Sequence, residues 1–250
     1  RRGRRFGVLL IDLEAQYRLT IDHALAMVAR YRACADVYWV ALPIKLRNAV
    51  SNFEPEWCCW DPDARDLWVR EKPTVEGLIA EAPQLPFFVD RMEFEEFVPL
   101  FGEWYARGEL TAAFIGIRAD ESLNRFRTIA SDVKATHNGR RFTTHVTEHA
   151  YNIYPIYDWA VDDVWIYHAR YPDQPPNPVY DRMHLAGLTP HQMRLCQPYG
   201  DDQRRGLWLY HVIEPETWGR VVARVNGANG GALYVEESGN VSGYRQITCP

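Results

Sequence analysis

Two apolar runs separated by a helical pattern near the start of the chain constrain the fold most strongly. The first run, FGVLLID (6–12), is continuously apolar and ends in an acid, as expected for a strand buried on both faces. The segment after it places Ile21, Leu25 and Val28 at helical spacing. ADVYWVAL (35–42) then predicts a second strand. A strand, a helix and a strand in this order form a βαβ unit with parallel strands, so we predict an open α/β sheet.

The middle of the chain continues this alternation after one interruption. The segment FEPEWCCWDPDARDLWVREKP (53–73) is rich in Trp and Pro and follows neither period, so we interpret it as an insert. FEEFVPLFGEWYARG (94–108) predicts a helix whose C-cap is Gly108. TAAFIGI (111–117) predicts the third strand of the sheet.

Helical patterns dominate the C-terminal part of the chain. VDDVWIYHARY (161–171) and DQRRGLWLYHVIEPETWGRVVARVNG (202–227) both predict helices, and the second is interrupted near Pro215. We therefore predict an α/β domain over residues 1–170, which includes the Trp-rich insert, and a helical C-terminal lobe over residues 171–250.

Composition narrows the class of protein. With 250 residues, 47% of them hydrophobic, the chain can bury a sizeable core. Its net charge is −5 and its basic residues are scattered, so we predict neither direct nucleic-acid binding nor membrane binding. No apolar run is long enough to span a bilayer, and the basic start RRGRR leads into a strand pattern rather than a signal peptide. The five cysteines are an odd number without a disulfide framework, which fits the reducing cytosol, so we predict a cytoplasmic protein.

Four polar residues follow the third strand at helical spacing. In FIGIRADESLNRFR (114–127) they stand at i, i+3, i+4 and i+7, namely Arg118, Glu121, Ser122 and Arg125. A helix that begins where a parallel strand ends would carry all four on one face, at the sheet edge where ligands bind. Two guanidinium groups near a helix N-terminus suit a phosphate or sulfate. The alternative is a solvated face with Arg–Glu pairs, each stabilising the helix by about 0.2–0.5 kcal/mol.

Other clusters of polar residues give weaker indications of a site. Cys58 and Cys59 lack the four thiolates of an iron–sulfur cluster, which leaves buried thiols as the alternative. The spacing of His184, His191 and Cys196 matches no common zinc site, so we predict no metal site in protein residues.

Two further segments could hold an anion. Arg194 with Arg204 and Arg205 forms a local basic cluster, for which a solvated helix face is the alternative. NGANGGAL (226–233) is Gly-rich, but a lone Gly-rich turn is a weak signal for phosphate binding.

Three segments that lie far apart resemble the markers of one superfamily. GIRADESLNR (116–125) resembles the Gly-x-Arg-x-x-Glu-Ser-x-x-Arg signature of phosphoadenosine phosphosulfate reductases and ATP sulfurylase small subunits. YPIYDWAVDDVWIY (154–167) is similar to the second marker, Pro-x-x-Asp-Trp-x-x-x-Asp-Val-Trp-x-Tyr. VLLIDLEAQY (8–17) corresponds to a strand that ends in an acid beside the adenine site. The Trp-rich insert and residues 177–208 resemble a regulatory or uncharacterised branch of this superfamily.

The resemblance implies a fold, a ligand and a reaction. The fold would be that of an adenine nucleotide alpha-hydrolase, with the nucleotide in the domain 1–170. The ligand would be ATP or a related adenine nucleotide with Mg²⁺, and the reaction would be ATP pyrophosphatase or adenylyl-transfer chemistry, without an assigned catalytic residue. The nucleotide-binding residues would be Asp12, Arg118, Glu121, Ser122 and Arg125, and the pocket wall would contain Asp158, Trp159 and Asp163. For the wall residues, an N-cap at Asp162 or Asp163 and core tryptophans are the alternative.

Two family features bear on the expected activity. The pyrophosphate-binding loop, Ser-Gly-Gly-x-Asp-Ser, precedes the strand that FGVLLID resembles, and these 250 residues do not contain that motif. We therefore expect the 250-residue chain to be inactive alone. Cys249 lacks the Glu-Cys-Gly-x-His context of the reductases, which makes sulfonucleotide reduction the weaker expectation. The alternative function is a non-catalytic, nucleotide-sensing regulatory protein that acts with a ParB-like DNA-associated partner.

Overall fold

The computed structural model of the protein describes residues 5–51, 53–201 and 206–228. Its described residues fall into two compact units along the chain. The first unit draws on Arg1–Glu93 and Asn177–Pro250, and the second is Phe94–Pro176.

The first unit contains the predicted βαβ element. Strand β1 (Phe6–Ile11), helix α1 (Arg18–Tyr31) and strand β2 (Ala35–Val40) follow one another, and the two strands pair in parallel along their whole length. Strand β5 (Leu78–Ile79) pairs in parallel with β2, which gives the strand order β1-β2-β5. Trp39 on β2 has no exposed surface, so the middle strand supplies the centre of this core.

The Trp-rich insert belongs to the same unit and is ordered. Strand β3 (Ile44–Arg47) pairs antiparallel with β4 (Glu56–Cys59), and a 3₁₀ helix follows at Pro62–Leu67. The tryptophan rings of the insert are buried rather than exposed. The tryptophans concerned are Trp57, Trp60 and Trp68. Their burial explains why the segment follows neither the helical nor the strand period, since they pack from short irregular elements.

In the described C-terminal residues, three helices belong to the same compact unit as these strands. They are α5 (Val179–Leu185), α6 (Leu209–Ile213) and α7 (Pro215–Arg224). The predicted interruption is confirmed, because Pro215 is the first residue of α7, a position where its missing N–H leaves no helical hydrogen bond unmade. Tyr210 of α6 donates its hydroxyl to Ala15 O at 2.6 Å.

The grouping of elements therefore differs from the predicted division at residue 170. The described C-terminal helices belong to the same compact unit as the first strands, and residues 94–176 form a unit of their own. The reason is a set of bonds between distant parts of the chain, such as Leu19 N–H donating to Glu214 Oε1 at 3.1 Å.

The second unit has five α-helices and β-strands before its last helix. Its elements are helix α2 (Phe94–Ala106), strand β6 (Thr111–Phe114), helix α3 (Leu123–Ala130), strands β7 (Thr143–His145) and β8 (Ala150–Ile153), and helix α4 (Val161–Arg170). The sheet order is β6-β8-β7, with β6 parallel to β8 and β7 antiparallel to it. The predicted C-cap agrees with the structure, since Gly108 has a φ of 76°, in the left-handed region.

The third predicted strand therefore has a different partner from the one expected. Residues 111–114 are extended, but β6 is hydrogen-bonded to β8, whereas β1, β2 and β5 form a separate sheet. The short strand AYNI of β8 offers little pattern to predict it from. The structure is a mixed α/β fold with a parallel sheet and helices. Among the described residues no helix is long and apolar enough to cross a membrane.

Candidate functional site

The first signature segment lies directly after β6. Ile115 extends the strand pairing, because its N–H donates to Ile153 O at 2.9 Å. Arg118 has an extended backbone, with φ −120° and ψ 146°, and a single 3₁₀ turn (Ala119–Glu121) follows it. Ser122 is also extended and is the N-cap of α3. The parallel strand thus leads into a turn and only then into a helix.

The predicted arrangement of the four signature residues on one helix face is wrong. Arg118 and Ser122 precede α3, and only Arg125 lies within it. The physical reason is the Ser122 hydroxyl, which accepts the Arg125 N–H at 3.2 Å and starts the helix at that point. The Glu121 carboxylate accepts the Arg118 N–H at 3.3 Å, so it fixes the turn.

The second marker follows β8 and is bonded to the first. Ala119 N–H donates to Tyr157 O at 2.9 Å, and Arg118 Nη1 donates to Trp159 O at 3.3 Å. The N–H of Val161, the first residue of α4, donates to Asp120 Oδ2 at 3.1 Å. The residues joined by each of these side-chain bonds are 41 positions apart in the chain. The two segments therefore form one structural element at the end of two parallel strands.

The predicted wall residues have distinct roles in this element. Asp163 does not occupy the N-cap position of α4; it lies in the first turn and accepts the N–H of the N-cap residue Ala160 at 2.8 Å. Trp159 is half-buried, with its ring 5.8 Å from that of Tyr167. Asp158 is exposed. The marker thus builds the start of α4, but the alternative of an N-cap at Asp162 or Asp163 is wrong, because Ala160 occupies that position.

The two arginines of the signature differ in their surroundings. The Arg118 side chain is only 12% exposed, and its Nη1 also lies 3.4 Å from Asp120 Oδ2. Within the described part of the chain, its Nε and Nη2 make no hydrogen bond or ion pair. The Arg125 side chain is exposed and likewise makes no such contact with a described residue. The Arg118 guanidinium is therefore nearly buried and held at one nitrogen, whereas the Arg125 side chain is exposed to solvent.

Asp12, the fifth predicted nucleotide residue, lies in the first unit and has no exposed side-chain surface. Its Oδ2 accepts the Trp39 indole N–H at 2.8 Å, and its Oδ1 accepts the Glu14 N–H at 3.0 Å. Arg70 also pairs with Oδ1. Protein donors thus surround the carboxylate, and Asp12 holds the end of β1 against the insert.

The sequence reasoning missed the residue beside it, Glu14. This carboxylate is fully buried and accepts both Nε and Nη2 of Arg224, at 2.6 and 3.1 Å. It also accepts the backbone N–H groups of Trp60 and Val69, at 2.7 and 3.2 Å. An acid two residues after Asp12 is visible in the sequence, but no local pattern indicates a partner in α7.

A third cluster joins two acids and a histidine in the second unit. The ligand atoms of Glu103, Glu148 and His149 all lie within 4.8 Å of one another. Its main contact is an ion pair, with Glu103 Oε1 2.5 Å from His149 Nδ1. Hydrogen bonds from Thr147 and His149 lower the pKa of Glu103 to about 2, and Glu103 raises the pKa of His149. The contacts of this cluster are those of an ion pair that joins α2 to the start of β8.

The remaining sequence candidates do not assemble into a site in the described part of the chain. Cys58 is half-buried and Cys59 is buried, and both thiols are free. His184 and His191 are exposed, and they form no three-residue ligand group with Cys196 among the described residues. Some candidates lie outside the described residues. These are Arg204, Arg205, Cys249 and the Gly-rich segment beyond Ala228.

The fold and site define a mixed α/β protein with two signature segments joined at a parallel strand end. Comparison with known proteins gives two similarities. Residues 187–250 match the family model described as a domain of unknown function, DUF3440. The chain is 41% identical over 251 residues to the uncharacterized protein YbdN of Escherichia coli (strain K12), in an alignment that covers 99% of this chain. The chain spans 61% of the length of that relative. No solved structure matches the chain.

Proposed function

We propose that the intact protein binds ATP or a related adenine nucleotide through the second unit and carries out ATP pyrophosphatase or adenylyl-transfer chemistry. The observation that carries this proposal is the direct bonding between the two signature segments, through Arg118 Nη1 and Trp159 O at 3.3 Å and through Asp120 Oδ2 and Val161 N–H at 3.1 Å. Residues that resemble separate markers of one nucleotide-binding superfamily thus meet at the end of a parallel strand pair, where α/β sheets bind ligands.

The chemistry of the donors fits an oxyanion. The Nε and Nη2 edge of Arg118 makes no hydrogen bond or ion pair with a described residue, and it has the fork geometry that pairs with two oxygens of a phosphate. Arg125, exposed in the first turn of α3, would supply a second positive charge. In the proposed function these groups stabilise the charge of the departing pyrophosphate by electrostatic positioning.

Mg²⁺ fits as a companion of the nucleotide. Among the described residues, the exposed carboxylates near Arg118 do not form a three-residue ligand group. Magnesium is commonly held by one or two carboxylates together with substrate phosphates, and the exposed Asp158 would be the carboxylate here. When bound, the ion would neutralise charge on the phosphates. Asp12 supports the fold of the other unit, and the proposal does not need it as a ligand contact.

The test of binding is calorimetry with Mg²⁺–ATP on the chain and on a version extended upstream along the natural gene. Arg118→Ala should weaken binding by about 1.5–3 kcal/mol, the range for charge-assisted hydrogen bonds. Arg127→Ala is the matched control. Arg127 is an exposed arginine of α3, two positions from Arg125 and on another face of that helix. Unchanged affinity in Arg118→Ala with a large fall in Tm would assign Arg118 to the fold instead.

The test of catalysis is release of pyrophosphate from Mg²⁺–ATP by the same two proteins. Pyrophosphate release that depends on Arg118 would support the proposed chemistry. Tight binding without release, in every version of the chain, would favour the nucleotide-sensing alternative.

A further inference from the structure

Asp120 links the two signature segments through a single oxygen atom. Its Oδ2 accepts the Val161 N–H at 3.1 Å and lies 3.4 Å from Arg118 Nη1. Val161 is the first residue of α4, and its N-cap residue, Ala160, has no polar side chain to accept a helix N–H. Asp120 therefore supplies, from a distant segment, an acceptor that the local sequence of α4 lacks.

The same contact fixes one nitrogen of the Arg118 guanidinium. Nη1 lies between Trp159 O, at 3.3 Å, and Asp120 Oδ2. A planar guanidinium held at one nitrogen has its other edge oriented, so the Nε and Nη2 donors are presented together. Holding the side chain in advance reduces the entropy that it loses when a ligand binds.

We propose that Asp120 is a positioning residue that orients the Arg118 guanidinium toward an oxyanion and couples that orientation to the start of α4. This inference rests on the proposed function for its ligand, but the orientation of Arg118 can be tested without any nucleotide. Asp120 acts through Arg118, and its own carboxylate does not touch the oxyanion.

The two contacts of Asp120 can be separated by substitution. Asp120→Asn keeps an oxygen that can accept from Val161 N–H and removes the negative charge opposite Arg118. Asp120→Ala removes both. Asp162→Asn is the matched control, because Asp162 is an exposed acid in the first turn of α4 that makes no hydrogen bond or ion pair with a described residue.

The experiment measures how fast phenylglyoxal modifies Arg118, by mass spectrometry of the peptide, alongside the Tm of each variant. We expect Asp120→Asn to raise the rate of Arg118 modification by about two- to fivefold, as for loss of a partly exposed ion pair. Its Tm should stay close to that of the protein without the substitution. Asp120→Ala should raise the rate and lower the Tm by several degrees, since the helix acceptor is also lost. Asp162→Asn should change neither.

An Arg118 modification rate in Asp120→Asn equal to that of the original protein would overturn the proposal and leave Asp120 as a helix cap only. The ATP affinity of Asp120→Asn provides a second test, because positioning and competition with the ligand predict changes in opposite directions. Positioning predicts weaker ATP binding in Asp120→Asn, whereas tighter binding would mean that Asp120 competes with the ligand for Arg118. If no version of the chain binds ATP, the proposed function fails, and the modification rates still decide whether Asp120 orients Arg118.

Discussion

Glu14 and Arg224, 210 residues apart in the chain, form a two-point ion pair whose side chains are 0% and 6% exposed. The pair joins the end of β1 to α7, and Arg224 Nη2 also donates to Cys58 O at 2.6 Å in the insert. The Arg224 guanidinium carbon lies 5.4 Å from the centre of the Trp57 ring. One buried arginine thus connects the three parts of the first unit.

Replacing Arg224 by Met should destabilise the protein severely. The substitution keeps an apolar side chain of similar length against Trp57 but leaves the Glu14 carboxylate buried without its cation. Breaking a buried ion pair on one side costs about 3–5 kcal/mol. Urea denaturation followed by tryptophan fluorescence would measure the loss of unfolding free energy at constant m-value.

The control is a surface ion pair between α1 and α7, the helix that contains Arg224. Arg18 and Glu216 are 3.8 Å apart, and both side chains are 61% exposed. Arg18→Ala should therefore change the unfolding free energy by no more than about 1 kcal/mol. Equal effects for Arg18→Ala and Arg224→Met would mean that the buried pair does not hold the first unit together.

The elements that the sequence predicted best are those with a long, regular pattern. The βαβ unit was predicted because six consecutive residues of β1 are apolar or Gly and α1 repeats at helical spacing. The Pro215 break was predicted because proline cannot continue a helix. The pairing of β6 with β8 was not predicted, because partners are set by contacts between strands that are only four residues long.

The geometry of the segment after β6 differs from the one that its spacing predicts. Spacing placed Arg118, Ser122 and Arg125 on one helix, but the Ser122 hydroxyl competes for the backbone and starts the helix later. The contacts of Asp120 and Glu14 lie beyond any local pattern, since their partners Val161 and Arg224 are 41 and 210 residues away. Long-range polar pairs of this kind need the fold to be known first.

Removing the hydroxyl of Tyr17 should not destabilise the protein. Its ring stacks on Tyr210 at 4.0 Å between centroids, and its Oη is buried without a hydrogen-bond partner among the described residues. Tyr17→Phe keeps the stacked ring and removes a desolvated hydroxyl, so the unfolding free energy should stay the same or rise by up to about 1 kcal/mol. Thermal and urea denaturation would both show this.

Tyr210 provides the opposite case in the same ring pair. Its hydroxyl donates to Ala15 O at 2.6 Å, and both groups are buried. Tyr210→Phe should cost about 1–3 kcal/mol, because the carbonyl loses its donor. A loss in Tyr17→Phe as large as in Tyr210→Phe would show that the Tyr17 hydroxyl does have a partner.

The His149–Glu103 pair should make the second unit sensitive to pH on both sides of a window. The pKa of His149 is raised above 6.5, so its stabilising contribution is full below that pH and is lost as pH rises through the raised value. The pKa of Glu103 is lowered from 4.5 to about 2, so its contribution is full above 4.5 and is lost as pH falls toward 2. The pair contributes most between about pH 4.5 and 6.5.

Proton NMR of the histidine side chains would test this. The His149 signals should titrate above pH 6.5, and Glu103→Gln should lower that midpoint, because the hydrogen-bonded carboxylate that raises the pKa of His149 most is removed. Glu148 also raises the pKa of His149 by its charge, so Glu148→Gln should give a smaller shift in the same direction. A His149 midpoint that Glu103→Gln leaves unchanged would contradict the ion pair.

The paired cysteines of the insert should be unreactive as thiols. Burial, together with the nearby Asp61 charge, raises the pKa of Cys58 from 9.0 to about 12, and burial raises the pKa of Cys59 well above its usual range. The thiolate is the nucleophile, so at pH 8 Cys58 should carry about a thousandfold less of the reactive form than a thiol of ordinary pKa. Iodoacetamide labelling of the folded protein, read by mass spectrometry, should modify exposed Cys34 first and Cys58 and Cys59 only after unfolding. Labelling of Cys58 as fast as Cys34 in the folded protein would reopen a redox or cluster role for the pair.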